Sequence, residues 1–287
     1  MMRGLLRLLG WGSAALLLLG FVGRWSPAAD SLSILRPYAA LGCAAASVLM
    51  AGRSRIVLAA LAAAGAATIV LPFLGQAPVP GPTLYSKNLL AGNTAMEGVA
   101  ADILAADPDF VLLQEVGDAN LQIIDLLAER WSHAHLCRNS AWSGVAVLSK
   151  APFAGETACT ERRAVAAAPV SWKGETVWIA ALHIPWPWPN DYGVRTEPEA
   201  IAFLAALPGP VIAAGDVNQM PWSHRARALA RAADGRVRTT WRPTFWLKRT
   251  VPLPIDMVMA PHGAEVLRRP KLGSDHHGLL ARVAWPG

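Results

Sequence analysis

Hydrophobic positions divide the chain into two unlike parts. The first opens with Leu5 to Val22, an apolar segment of 18 residues with Arg3 and Arg7 at its N-terminal end. As a helix it would be about 27 Å long, close to the hydrocarbon thickness of a bilayer. Tyr38 to Gly52 is a second, shorter apolar stretch. It reaches span length, over about 34–52, only if Leu32 to Leu35 join it and Arg36 snorkels to the interface. Ile56 to Leu74, 19 uncharged residues rich in Ala, is the third. Gly and Ala along the last two permit close helix packing. The pattern predicts a three-helix membrane anchor over 1–75, with spans at about 5–22, 34–52 and 56–74. The first segment could also be a signal peptide, but its length, Trp11, Trp25 and the spans after it favour an anchor.

Gln76 to Pro82, QAPVPGP, is a stiff linker, and beyond it the period changes. Residues 83–287 read as one soluble α/β domain. Thr83 to Leu90 is a strand, and Thr94 with Glu97 is a capping box opening a helix whose Met96, Val99, Ala100, Ile103 and Leu104 share a face. Asp107-Pro108 ends that helix, and the buried strand Phe110 to Gln114 delivers Glu115 at its end. A helix over about 119–130 follows, then strands at Gly144 to Ser149, Ala164 to Trp172 and Thr176 to His183. The loop Ile184 to Asp191 carries Trp186 and Trp188, since its prolines rule out an interior strand. Thr196 and Glu199 predict another capping box and a helix to about Leu207. The apolar run from Val211 ends in Gly-Asp-x-Asn, with Asp216 and Asn218 two apart and so directed alike on extended backbone. Ser223 caps a helix that buries Ala226, Leu229, Ala230 and Ala233, and Gly235 stops it. Ile255 to Ala260 and Leu279 to Ala284 are the last strands.

Charge changes the picture mainly for the first part. Residues 1–80 hold six Arg against one acid, Asp30, so they account for +5 of the net charge of +6. The basic balance therefore flanks apolar segments rather than signalling DNA. Arg53 and Arg55 in the turn between the second and third segments, like Arg3 and Arg7, mark the cytoplasmic side. Three spans then place everything after Leu74 outside the cytoplasm. Cys137 and Cys159 fall in that exported part, where a disulfide and buried free thiols are both open readings.

Polar residues end nearly every apolar strand: Asn88, Glu115, His183, Asp216 with Asn218, Asp256, and Asp275 with His276. Singly, each has an ordinary reading as a turn former, cap or core partner. Together they can gather at one rim of a layered α/β domain. LLQEV (Leu112 to Val116), GVAVLSK (Gly144 to Lys150), the strand ending in His183, GDVN (Gly215 to Asn218), PID (Pro254 to Asp256) and SDHH (Ser274 to His277) resemble, in order and spacing, the endonuclease/exonuclease/phosphatase superfamily. With three spans in front, the chain looks like a membrane-anchored bacterial branch of it.

That resemblance implies a DNase I-like four-layer sandwich, two packed mixed β-sheets flanked by helices, after an N-terminal helical transmembrane region. It implies a site in which Asn88, Glu115 and Asp275 hold Mg²⁺ or Mn²⁺, as oxygen ligands favour. Asp256 would hydrogen-bond His276, and His276, or Asp216 in a competing scheme, would deprotonate the attacking water. Asn218 and His183 would donate to the non-bridging oxygens. The family's GDFN is GDVN here, and no Tyr or Arg counterpart of the family's nuclease-assisting residues stands out.

Between Arg225 and Arg249 lie eight basic residues against one acid, Asp234, interleaved with Trp241, Phe245 and Trp246. They form either a solvated face or a basic wall beside the site; on the second reading Arg242 and Trp246 join Trp186 and Trp188 as substrate-binding residues. A short tether concentrates lipid-borne substrates more than free nucleic acid. The leading expectation is a Mg²⁺-dependent hydrolase of a lipid-linked phosphate ester or pyrophosphate at the outer face of a bacterial inner membrane. A periplasmic nuclease acting on DNA or RNA is second, and a silent membrane-binding module third.

Overall fold

Two six-stranded sheets pack face to face, because most of their strands are buried on both sides. The computed structural model describes residues 2–74, 80–138, 140–187 and 191–285. The helical part comprises α1 (Met2–Leu19), α2 (Pro27–Ser31), α3 (Arg36–Leu49) and α4 (Gly52–Val70). Then follow β1 (Thr83–Asn88), α5 (Met96–Ala106), β2 (Phe110–Gln114), α6 (Gln122–Leu127), β3 (His133–Arg138), β4 (Gly144–Ser149), β5 (Ala158–Cys159), β6 (Val165–Trp172) and β7 (Glu175–His183). The remainder is α7 (Asp191–Ala206), β8 (Val211–Asp216), α8 (His224–Ala232), β9 (Arg236–Arg238), β10 (Phe245–Leu247), β11 (Val251–Leu253), β12 (Asp256–Ala260), β13 (Ala264–Arg268) and β14 (Leu279–Val283).

One sheet runs β13-β14-β1-β2-β4-β3 and the other β5-β6-β7-β8-β12-β9, with β10 and β11 a separate hairpin. Both are mixed: β1 pairs parallel with β2 and β7 with β8, while the other pairings are antiparallel. The central core joins Leu112 and Val147 of one sheet to Ala181, Ile212 and Val258 of the other. Val99 and Ile103 of α5 cover the outer face of the first sheet, and Leu204 of α7 with Leu229 of α8 cover the second. The four-layer sandwich expected from the sequence is therefore present. Cys137 and Cys159 form a disulfide that ties edge strand β3 to edge strand β5, one from each sheet.

Three helical segments, Gly4–Arg24, Ala29–Leu49 and Gly52–Phe73, are long and apolar enough to cross a membrane. Small residues let them pack closely: a Cβ on Gly42 of α3 would fall 2.3 Å from Ser13 Oγ of α1. The second segment departs from expectation. Arg36 does not snorkel but is buried, its guanidinium donating to the carbonyls of Gly20 at 2.6 Å and Trp222 at 2.8 Å. The Trp222 indole in turn donates to Ser33 O at 2.7 Å, and Phe73 stacks on Trp241 with centroids 4.2 Å apart. The sandwich is thus docked on the helices by direct contacts and not held by its linker alone.

Most of the linker lies outside the described residues. Where it resumes, the carbonyls of Pro80 and Pro82 already accept from Trp285 and Val283, so the folded domain begins before Thr83. Neither predicted capping box forms. Helix α5 starts at Met96 without a side-chain cap, and the Asn93 side chain accepts from Ala95 N instead. Helix α7 starts five residues before Thr196, whose hydroxyl donates back to Tyr192 O, while Glu199 pairs with Arg162. The helix expected over 119–130 is regular only through α6.

Candidate active site

The parallel neighbours β1–β2 and β7–β8 end at the same rim, and this brings residues far apart in sequence to one place. His183 and Asp216 are register partners at the ends of β7 and β8, and Asp256 pairs with Asp216 from the start of β12. Gly215 makes the close approach of β8 to β7 possible. Its φ is 157°, and a Cβ there would lie 1.9 Å from Leu182 O. Glu115 and Asn218, immediately past β2 and β8, both adopt left-handed backbone (φ 55° and 51°), a strained conformation that recurs at functional sites.

A cleft of about 400 Å³ is lined by Glu115, His183, Trp186, Asp216, Asn218 and His276, with Asp275 and Phe245 at its edge. Asp216 Oδ2 is its hub. It accepts from Asn88 Nδ2 at 3.1 Å and Asn218 Nδ2 at 3.2 Å, and lies 3.6 Å from His276 Nε2 and 3.8 Å from His183 Nε2. Asn88 Nδ2 also donates to Glu115 Oε1 at 2.9 Å, so one amide joins two carboxylates, while its own oxygen accepts from Leu90 N. Asp256 and His276 share a 2.9 Å bond through Nδ1, and Phe245 stacks on the imidazole.

Burial alone would lower the pKa of His276, but the Asp256 and Asp216 carboxylates outweigh it and push it up to about 10. Burial raises Asp216 to about 6 against the pull of His276. In the metal-free site this favours the protonated imidazole, with Nδ1 bonded to Asp256 and Nε2 facing Asp216 at 3.6 Å.

Of the residues singled out from sequence, Asn88 and Asp256 sit beneath the cleft as buried partners, and the exposed Asp275 stands at its edge. Trp246 lines an adjoining cleft of about 730 Å³ with Lys248, Arg249, Lys271 and Asp275. Arg242 lines neither, and Trp188 lies outside the described residues. The basic stretch is divided: Arg225 pairs with Glu197 at 2.6 Å, while Arg227, Arg231, Arg236 and Arg238 face the end of α4.

Sequence reasoning passed over Lys87. It is 1% exposed, and its ammonium donates to the carbonyls of Pro270, Lys271 and His276, holding the segment that carries Asp275 and His276. Ser274 supports the same segment: its hydroxyl donates to Asn88 O and accepts from His276 N. The only signal was a lysine and a serine in places otherwise occupied by core or turn residues. Tyr192, at the start of α7, lines the cleft as well.

The donor set fits a hard divalent cation. Ligand atoms of Asp216, Asp256 and His276 lie within 4.8 Å of one another, and Glu115 is joined to Asp216 through Asn88. Carboxylate oxygens dominate, as Mg²⁺ and Mn²⁺ prefer. Of the ligands expected from sequence, Asn88 and Glu115 are hydrogen-bonded to one another beside this group, and Asp275 stands at the cleft edge.

A family model described as Endonuclease/Exonuclease/phosphatase family matches residues 84–276, from β1 to His276. The chain belongs to this family. It is accordingly a metal-dependent hydrolase acting on phosphate ester bonds. The fold is shared with an endonuclease/exonuclease/phosphatase from Beutenbergia cavernae at 20% identity and TM-score 0.53, over 71% of this chain and 72% of that one. It is shared also with a 3′ phosphatase from Neisseria bound to a product DNA hairpin, at 15% identity and TM-score 0.56, over 71% and 100%. Beta toxin from Staphylococcus aureus with bound magnesium ions aligns at 13% identity and TM-score 0.52, over 71% and 100%. No curated protein sequence matches the chain.

Proposed function

We propose that this family member is a membrane-anchored, Mg²⁺- or Mn²⁺-dependent phosphoesterase that hydrolyses a lipid-linked phosphate ester or pyrophosphate. One observation carries the reading: Trp186, which lines the catalytic cleft, packs in the same apolar cluster as Ile34, Ile69 and Phe73 of the helical part. A cleft sharing its rim with the end of a membrane helix meets lipid-borne substrates at high effective concentration. At the opposite end of the helices, Arg7 lies beside Met50, Ala51 and Ser54, in the turn whose sequence carries Arg53 and Arg55. That placement supports a cytoplasmic turn and a sandwich on the periplasmic face, where a disulfide persists.

In this reading Glu115 offers its carboxylate to the cation, with Asp275 at the cleft edge. When bound, the cation neutralises charge on the phosphoryl and leaving oxygens. Asp256 fixes the orientation of His276, whose Nε2–H donates to a phosphoryl oxygen. Asp216, whose carboxylate burial leaves ready to accept a proton, takes one from the attacking water. Asn218 Nδ2 and His183 Nε2 face the same space and complete the donors to the non-bridging oxygens.

A nuclease is the second reading, favoured by the adjoining cleft, where Lys271 lies 4.9 Å above the Trp246 ring and Lys248 and Arg249 add charge. Purified full-length protein with Mg²⁺ should release phosphate or a phosphoalcohol from lipid pyrophosphates or phospholipids and leave plasmid DNA intact. Degraded DNA with every lipid untouched would transfer the proposal to the nuclease.

A further inference from the structure

A cavity of about 510 Å³ lies between the end of α4 and the corner formed by α8 and β9, and the catalytic reading does not use it. One wall is apolar and comes from the last turn of the third span, where Leu71 and Leu74 are exposed to 60% and 51%. The other wall carries four guanidinium groups, Arg227 and Arg231 from α8 and Arg236 and Arg238 from β9. Among the described residues none of the four is in an ion pair, and no acid lines the cavity. Arg238 Nε is buried without a hydrogen-bond partner. Burial and then the neighbouring Arg231 hold Arg227 below the usual arginine range, and burial and then Arg236 do the same to Arg238.

Four guanidinium groups on one wall, three of them exposed and offset only by the Asp30 carboxylate acting on Arg227, attract an anion. An exposed leucine wall at the end of a membrane helix calls for hydrocarbon. A soluble phosphate satisfies only the first demand and a neutral lipid only the second. We infer that this cavity binds the headgroup of an anionic phospholipid, its phosphate among the four arginines and its first acyl methylenes against Leu71 and Pro72. The depth agrees, because headgroups lie where a span ends. Pro221, three residues past Asn218, lines the same cavity, so a bound headgroup touches the segment leading away from the catalytic loop. The inference rests on the reading that the three helices lie in a bilayer and is independent of the substrate hydrolysed.

The test uses the full chain, reconstituted into vesicles of phosphatidylcholine alone or mixed with phosphatidylglycerol, followed by extraction and native mass spectrometry of retained lipid. Phosphatidylglycerol should be retained about tenfold better than phosphatidylcholine, and Arg231→Gln with Arg236→Gln should remove the preference. Replacing both by Lys should restore most of it, which separates lost charge from lost fold. Equal retention of phosphatidylglycerol by the parent and the double Gln variant overturns the inference, as does displacement of the lipid by glycerophosphate. Vesicle flotation is scored alongside: protein that floats without a headgroup preference sinks only the cavity, whereas protein that does not float sinks the bilayer reading and the cavity with it.

Discussion

Asp30 and Arg225 are 195 positions apart, yet the Asp30 carboxylate accepts the Arg225 backbone N–H at 2.9 Å. Its other oxygen accepts from His224 N, also at 2.9 Å. The single acid of the first 80 residues thus satisfies two orphan donors at the start of α8, beside Ser223, whose hydroxyl accepts from Ala226 N. An anionic cap at a helix N-terminus is favoured twice, by hydrogen bonding and by the helix dipole. Because Asp30 belongs to the helical part, the same contact docks the sandwich on the apolar helices.

Replacing Asp30 by Ala should lower the stability of the docked protein by about 1–3 kcal/mol, since one buried and one partly buried N–H group lose their acceptor. A thermal melt reads this loss. Limited proteolysis should show faster cleavage near residues 222–225, and an unchanged digestion pattern would argue that the dock holds without the cap.

His276 and Asp256 act as one unit through their 2.9 Å bond. His276→Asn and Asp256→Asn should each lower kcat by about 10²–10⁴-fold, with the double variant little worse than either. Multiplicative losses would show that the two residues act separately.

Stability of the metal-free protein should fall with rising pH. The folded state raises His276 from its ordinary 6.5 to about 10. A raised folded pKa stabilises fully below about 6.5, and the contribution is lost as pH climbs through about 10. Asp216, raised from 3.8 to about 6, works in the same direction at lower pH. Melts of chelated protein between pH 6 and 10 should show the decline, and Asp256→Asn, which removes the main charge holding the proton, should flatten it.

Lys87 is a positioning residue. Burial lowers its ammonium to about 8 even though three carbonyls accept from it. Lys87→Met should free the 270–276 segment, costing about 2–4 kcal/mol through the carbonyls left unpaired. The kinetic signature is a fall in kcat with KM little altered, because His276 loses its aim while the substrate-binding walls stay in place. A proportional rise in KM would assign the lysine to substrate binding.

The Cys137–Cys159 bridge closes 22 residues between the edges of the two sheets. Cys137→Ser with Cys159→Ser should cost about 3 kcal/mol, by the loop entropy returned to the unfolded chain. The loss appears as a lower Tm matched by the parent under reducing conditions, and a Tm indifferent to reductant would remove the bridge from the stability of the domain.

Much of this protein is legible along the chain, and the reasons are local. The three apolar helices follow from long uncharged runs, and the α/β character of the rest from short apolar strands alternating with amphipathic helices. The rim follows from the habit of those strands of ending in a polar residue, as at Glu115, His183 and Asp216. Where sequence reading failed, a distant partner had overruled a local pattern. Thr196 and Glu199 have the spacing of a capping box, but α7 starts at Asp191 and Glu199 is drawn to Arg162. The arginines around 227–238 have the composition of a substrate wall, but α8 and β9 aim them at the end of α4.

By itself, then, the sequence determined three apolar helical segments and an α/β domain whose strands end in polar residues, because hydrophobic period and strand termini are properties of a few consecutive residues, while the layered sandwich was implied by resemblance to a family. Only the tertiary structure decided that Asp30 caps α8, that Arg36 is buried at the dock and that Lys87 holds the loop of His276. Each of these contacts joins positions more than 180 apart. The pairing of groups across that distance is fixed by strand register and helix docking, which no short stretch of chain encodes.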